Sequence, residues 1–413
     1  MANIVRDKQC GLVHIDLKNQ ILIMETLTAV KTLYTHLICS KERDIYQKDR
    51  LQTFSEAGKP LLAQYDLEAG LERKILRDRP FDMWRYRELL PLESDLHKIS
   101  LGEGGTPLIP LPETGKRWRV QQLRLKDEAL NPTGSFKARG LAMAISKARE
   151  LGAKVCAIPT AGNAGGAMSA YCAKAGLEAH VFMPRLTPAV FRRECEYFGA
   201  EVTVVDGTIG DCARKMRANW SPGWFDISTL KEPFRLEGKK TMGYEIAEQL
   251  DWQCPDVIVY PTGGGTGLIG IWKAFEEMEQ LGWIGSPRPR MVAVQAAVCA
   301  PIVHAFNRGM DVAPPVERPG ETIANGLRVP AAFGDELILD ILYRSRGTAL
   351  TVTDAEILDA LAEAASREGV MLSPEGAAVW AATGKLAATG WIRPDDSVVM
   401  INTGSWYKYA EQC

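Results

Sequence analysis

The chain has 413 residues, 46% hydrophobic and 24% charged, which is enough for two or three packed domains around sizeable cores. A formal net charge of -2 gives no electrostatic reason to expect nucleic acid or an anionic membrane as a partner. Nine cysteines, an odd number with no CxxC pair, argue against a disulfide frame and for reduced thiols in the cytoplasm.

In chain order, the apolar piece at residues 21–24 is too short to cross a bilayer and lacks a secretory cleavage pattern, and the role of the first 23 residues stays open. Short apolar or β-branched runs then predict strands over residues 155–160, 179–184, 201–206, 256–260, 290–295 and 397–404. Helical spacing of apolar residues marks 141–152, 165–176, 189–200 and 354–369, with a further helix starting near Ile269. Proline-rich residues 311–319 predict a surface loop. Strand–helix alternation predicts a parallel sheet covered on both faces, with ligands bound at the carboxyl ends of its strands.

Four turns at such positions carry the chemistry. In NPTGSFKARG, residues 131–140, Lys137 stands behind a Pro-Thr-Gly turn at the mouth of a helix. A lysine in a turn is most often a solvated charge, so the placement alone is weak, and it is a second element downstream that raises it to a candidate Schiff-base lysine. In PTGGGTGLIG, residues 261–270, Gly263, Gly264, Gly265, Thr266 and Gly267 lie between a strand and a helix. Without Cβ atoms, successive N–H groups can turn inward, and the positive helix end favours a phosphate. The spacing is neither GxGxxG nor GxxxxGK[ST], which argues against dinucleotides and nucleoside triphosphates. In TAGNAGGAMSAY, residues 160–171, Asn163 stands at a capping position; it reads as an N-cap worth about 1 kcal/mol or as a contact to a flat ligand. In INTGSWYKY, Thr403 precedes a glycine at the end of the last strand. The five histidines form no metal-ligand spacing.

With LGEGGTPL at 101–108, RLEGKKTMGYEIAEQL from Arg235, ETIANGLRVP from Glu321 and SPEGAA at 373–378, these turns resemble the fold-type II pyridoxal phosphate enzymes. Within that family the chain resembles the threonine synthases over about residues 37–409. The resemblance implies an α/β fold of two open parallel-sheet domains with pyridoxal 5'-phosphate in the cleft between them. It divides the chain into a lead-in at 1–85, a large cofactor domain at 86–141 and 251–413, and a small domain at 142–250. Lys137 would be the Schiff-base lysine and proton carrier, Asn163 the partner of the cofactor's phenolic oxygen, and the loop from Gly263 to Gly267 its phosphate site. Thr403 would face the pyridine nitrogen, where a neutral hydroxyl leaves the ring a modest electron sink and favours elimination and replacement over transamination.

The implied substrate is O-phospho-L-homoserine, which loses phosphate from the γ carbon and gains water at the β carbon. Arg235 would bind the substrate phosphate with Ser228 and Thr229 beside it, and Thr160, Gly162 and Ala164 would line the substrate's place; Arg235 could instead pair with Glu232 or Glu237. Glu375 is either part of the site or a simple helix start. Three departures from the family pattern stand out. Ala138 follows the lysine where many relatives have aspartate, and Ala161 stands where many have a hydroxyl residue. The segment at residues 37–68 looks like the zinc ribbon of many relatives, yet only Cys39 remains of four cysteines and His36 does not complete a set, so no metal is expected. A threonine or serine ammonia-lyase, or a β-replacement synthase using O-phosphoserine, is the alternative, ahead of a non-catalytic cofactor-binding protein. By family analogy the chain would form a homodimer.

Overall fold

The computed structural model describes residues 31–411, together with Val5–Arg6 and Val13–His14, which pair as a short antiparallel ribbon. The apolar piece at 21–24, Cys10 and Cys413 lie outside the described residues. The described chain opens with a small antiparallel sheet in which β1 (Tyr34–Cys39) lies between β2 (Ile45–Tyr46) and β3 (Leu61–Tyr65). Cys39 is buried there, its thiol donating to Ser55 Oγ at 3.3 Å and accepting from the Glu42 N–H at 3.4 Å.

Next come β4 (Leu108–Pro110), α1 (Pro112–Trp118), β5 (Gln122–Asp127) and α2 (Lys137–Glu150). A run of β6 (Val155–Pro159), α3 (Asn163–Ala175), β7 (Glu178–Pro184), α4 (Ala189–Tyr197), β8 (Glu201–Val205), α5 (Ile209–Ala218) and β9 (Trp224–Asp226) builds an all-parallel sheet of order β8-β7-β6-β9. The chain continues through α6 (Phe234–Gln249), β10 (Val257–Pro261), α7 (Thr266–Gln280), β11 (Arg290–Ala296), α8 (Pro301–Phe306) and α9 (Asp335–Arg344). It ends with β12 (Thr348–Val352), α10 (Asp354–Glu368), α11 (Pro374–Ala388) and β13 (Ser397–Asn402). The second, larger sheet has order β12-β11-β10-β13-β5-β4 and is parallel except for its antiparallel edge strand β4.

The larger sheet is apolar on both faces because its central strands alternate between two cores. Ile258, Tyr260, Val399 and Ile401 pack into one core, while Val257, Val259, Val398 and Met400 pack into the other. The smaller sheet shares a core with α2 and with Leu37, Leu61 and Ala63 of the N-terminal sheet. Helix ends follow local chemistry. Thr353 and Glu356 form a reciprocal capping box at the start of α10, and Gly369, at φ +67°, ends that helix in the left-handed region.

All six predicted strands are present, each within two residues of the expected bounds. Four members of the two main sheets were not expected, β4, β5, β9 and β12. In β5 the sequence QLRLKD suggests a solvated face, yet Lys126 is fully buried and bonded to Glu245 at 2.7 Å. No helix among the described residues is long and apolar enough to cross a membrane.

Candidate active site

Five strand ends feed one region. β5 leads through residues 128–136 to Lys137, β6 to Thr160, β9 to Ser228 and Thr229, β10 to the glycine loop, and β13 to Thr403. Lys137 is the first residue of α2, and its position is fixed from both sides. Before it, Thr133 adopts φ +58°, a strained conformation for a β-branched residue, and the Phe136 N–H donates to the Thr403 carbonyl at 3.1 Å. Ser135 bridges Gly404, so the end of β13 runs alongside the residues that present the lysine. After it, Arg139 is fully buried and donates to both carboxylate oxygens of Glu128 and of Glu245, at 2.6–2.8 Å. Gly140 allows α2 and α6 to cross closely, since a Cβ there would lie 2.8 Å from the Arg235 carbonyl.

The Lys137 amine is lowered to about 7, chiefly by burial and then by the Arg235 guanidinium, with Glu375 acting in the opposite sense. Its Nζ lies 4.4 Å from the centroid of the Phe136 ring, and no protein hydrogen bond to that amine is recorded among the described residues.

The glycine loop divides its labour. Gly265 turns the chain at φ +72° and stands at the N-cap of α7 without a side-chain cap. Gly263 and Gly267 are required by packing, because a Cβ would lie 2.1 Å from the Gly326 carbonyl in the first case and 1.9 Å from Tyr260 Oη in the second. At Gly264 a Cβ would meet only Thr229 Cγ2, at 3.2 Å, so this glycine faces open space beside the turn at Ser228 and Thr229. Among the described residues the N–H groups from Gly263 to Leu268 have no protein acceptor, which leaves a set of donors at the positive end of a 15-residue helix.

Asn163 does not cap its helix. Gly162 is the N-cap, and Asn163 is the first helical residue. Its amide is oriented instead by the C-terminal segment: Lys408 Nζ donates to Oδ1 at 3.1 Å and Nδ2 donates to Tyr409 Oη at 3.0 Å. An amide nitrogen has two hydrogens, so one stays available for an oxyanion. Lys408 is in turn held by Glu194 at 2.7 Å. Thr160 is buried and accepts from the Gly162 N–H at 3.3 Å, Gly162 has an extended φ of 178°, and Ala164 packs into the core beneath this turn.

Arg235 is fully buried, and only its Nη1 is used, on the Ile227 carbonyl at 2.6 Å; Nε and Nη2 have no partner. The carboxylates near it in sequence are committed elsewhere. Glu237 binds Lys240 and Lys273, at 2.6 and 2.5 Å. Glu232 accepts from the N–H groups of Phe234 and Arg235 at the start of α6. The expected ion-pair alternative for Arg235 is therefore absent. Ser228 lies next to Ile227 but spends its hydroxyl on Asp226, and Thr229 lies against Gly264.

Glu375 is both helix start and site neighbour. It is the second residue of α11, buried, and its Oε1 accepts from the Gly326 N–H at 2.7 Å and from Tyr409 Oη at 3.4 Å. Burial raises its carboxyl. Three contributors escaped the sequence reading, namely Lys239, Lys408 and Tyr409. Lys239 could have been found from its four-residue spacing to Arg235, which puts both on one helix face. Away from this region, His180 meets Glu178 through Nε2 at 2.6 Å and Glu201 through Nδ1 at 3.4 Å, and the three side chains offer ligand atoms within 4.8 Å of one another.

An unprotected amine, a nest of free N–H groups at a helix start, an oriented amide and buried hydroxyls form a donor set that fits pyridoxal phosphate. Comparisons with known proteins agree. A family profile described as "Pyridoxal-phosphate dependent enzyme" matches residues 99–404. The chain is 35% identical over 374 residues to threonine synthase of Methanocaldococcus jannaschii, covering 90% of this chain and 92% of that protein. It is 35% identical over 376 residues to threonine synthase of Methanosarcina acetivorans, with the same coverage. Among solved structures, maize serine racemase superposes with a TM-score of 0.61 at 21% identity, over 74% of this chain and 93% of that one. The processed form of threonine deaminase isoform 2 from Solanum lycopersicum gives 0.62 at 20% identity, over 74% and 82%. The chain belongs to the fold-type II pyridoxal-phosphate dependent enzymes, and its cofactor is pyridoxal 5'-phosphate.

Proposed function

We propose that the enzyme converts O-phospho-L-homoserine and water into L-threonine and phosphate. The observation that carries this reading is the Arg235 guanidinium, buried beside Lys137 with Nε and Nη2 unpartnered. A buried guanidinium with free donors is costly unless an anion completes it, and a planar fork suits a phosphate oxygen pair. The naming of relatives at 35% identity as threonine synthases supports the same substrate.

When bound, pyridoxal phosphate supplies a conjugated electron sink for charge that develops on the amino acid substrate. The chain's residues do the rest. Lys137, with an amine lowered to about 7, is free to accept and return protons at Cα and its neighbours near neutral pH. Arg235 holds the phosphate in the ground state and as it departs, with Thr229 between it and the glycine loop. Asn163, its amide fixed by Lys408 and Tyr409, would hold the cofactor's phenolic oxygen, and the neutral Thr403 hydroxyl would serve its ring nitrogen. On this reading the enzyme is a cytoplasmic homodimer; a monomeric mass in solution would count against that assembly.

One feature favours a second reading, an ammonia-lyase acting on serine or threonine. Ala161 puts a methyl group where many relatives have a hydroxyl residue before the Gly-Asn pair, so one potential contact to the substrate is missing. Steady-state kinetics of Arg235→Ala separate the two. The phosphohomoserine reading predicts a rise in KM of roughly a hundredfold, from about 3 kcal/mol of lost charge-assisted hydrogen bonding. An unchanged KM for the phosphorylated substrate would remove Arg235 from the site and favour the lyase.

A further inference from the structure

Four lysines among the described residues are fully buried, Lys126, Lys147, Lys239 and Lys240. Three have carboxylate partners: Lys126 has Glu245, Lys147 has Glu93 and Glu150, and Lys240 has Glu237 and Glu277. Lys239 has none. Its only recorded hydrogen bond runs from Nζ to Thr266 Oγ1, at 2.5 Å. Its other near neighbours are the Phe136 ring, 5.0 Å from Nζ, and the edge of α2, where a Cβ on Gly140 would lie 3.0 Å from Lys239 Cε.

An ammonium in this place is unfavourable three times over. It is desolvated, it sits at the first residue of α7, where the helix end is itself positive, and it shares its surroundings with Lys137 and Arg235. Against these, Glu232, unbonded to Lys239 and turned to the N–H groups of Phe234 and Arg235, is the smallest influence. Only one of its three hydrogens meets an acceptor. The Thr266 hydroxyl, by accepting from Lys239, keeps its own hydrogen to give away. Lys239, Thr266 and the N–H groups from Gly263 to Leu268 thus gather donors at the start of α7, and those N–H groups have no protein acceptor among the described residues.

We propose that Lys239 is the counter-charge of the cofactor's phosphate, a positioning residue that makes this loop a charged cradle instead of a purely backbone one. The contact with Thr266 ties it to the cofactor. Arg235 lies one turn earlier on α6, against the Ile227 carbonyl beside Ser228 and Thr229, and belongs to the substrate side. The assignment rests on the glycine loop holding the cofactor phosphate, and it is independent of which amino acid the enzyme consumes.

Binding of pyridoxal phosphate and of pyridoxal, which lacks the phosphate, to the full-length apoenzyme tests it without any turnover. Lys239→Gln should weaken pyridoxal phosphate by about ten- to a hundredfold, the loss of one charge-assisted hydrogen bond, and change pyridoxal by less than about twofold. Lys239→Arg should keep most of the preference for the phosphorylated form. Equal losses for both ligands would overturn the proposal, as would an unchanged affinity for pyridoxal phosphate with a raised KM for O-phosphohomoserine, which would move the contact to the substrate. Apo Lys239→Met should melt no lower than the apo parent, since a buried cation without a carboxylate is removed. A fall of many degrees would mark Lys239 as a structural element and also overturn the assignment.

Discussion

Replacing Arg139 with methionine tests how Lys137 is held. Arg139 lies two residues beyond the lysine and joins Glu128 on the β5 side to Glu245 on α6, with Thr106 and Thr241 completing its donors at 3.1 and 3.0 Å. All three charged groups are fully buried, and Lys126 is the fourth member. Burial acts to raise the Glu245 carboxyl, yet Arg139 and Lys126 overcome it and hold the group at about 2 instead of 4.5. Removing one partner of a buried pair typically costs about 3–5 kcal/mol, which sets the size of the expected loss. Urea denaturation of the apoenzyme at pH 7 should show a loss in that range. The sign of its pH dependence is also fixed. In the parent, the folded-state carboxyl lies below its ordinary value, so its contribution is present above about pH 4.5 and fades as pH falls toward 2. In the variant, two carboxylates share one lysine and their protonation is favoured, so the stability deficit should narrow on acidification from pH 7 to pH 5. A deficit below about 0.5 kcal/mol, or one that widens with acid, would refute the reasoning.

Capture of pyridoxal phosphate by the apoenzyme should quicken with rising pH, with a midpoint near the Lys137 value of about 7, and level off above it; a rise continuing toward pH 10 would mean an ordinary lysine. Gly264→Ala and Gly267→Ala should separate binding from packing. The first should leave thermal stability nearly unchanged while weakening the cofactor, because its Cβ meets only Thr229 Cγ2 at 3.2 Å. The second should lower both, because its Cβ would lie 1.9 Å from Tyr260 Oη. Equal melting temperatures for the two variants would contradict this division.

Much of this architecture is legible in the sequence, for physical reasons that differ by element. Strands such as β10 and β13 are buried on both faces, so their apolar runs are continuous and stand out. The glycine loop and Lys137 are legible because their backbone and chemical demands fall on consecutive residues. β5 is hidden because Arg124 and Lys126 look like a solvated face, and only the tertiary partner Glu245 makes a buried lysine tolerable. The orientation of Asn163 depends on Lys408 and Tyr409, about 245 residues further along, which no local pattern can announce. Whether Arg235 pairs with Glu232 or stays free is likewise undecidable from spacing. The answer comes from Glu232 turning back to cap α6 and Glu237 turning away to Lys240 and Lys273.

The central claim is the reaction itself, and the most direct measurement incubates the cofactor-loaded enzyme with O-phospho-L-homoserine while following phosphate release and identifying the amino acid formed. The account predicts equal amounts of phosphate and threonine, abolished in Lys137→Ala. A cofactor-loaded enzyme that releases no phosphate from this substrate, yet forms a keto acid and ammonia from serine or threonine, would contradict it.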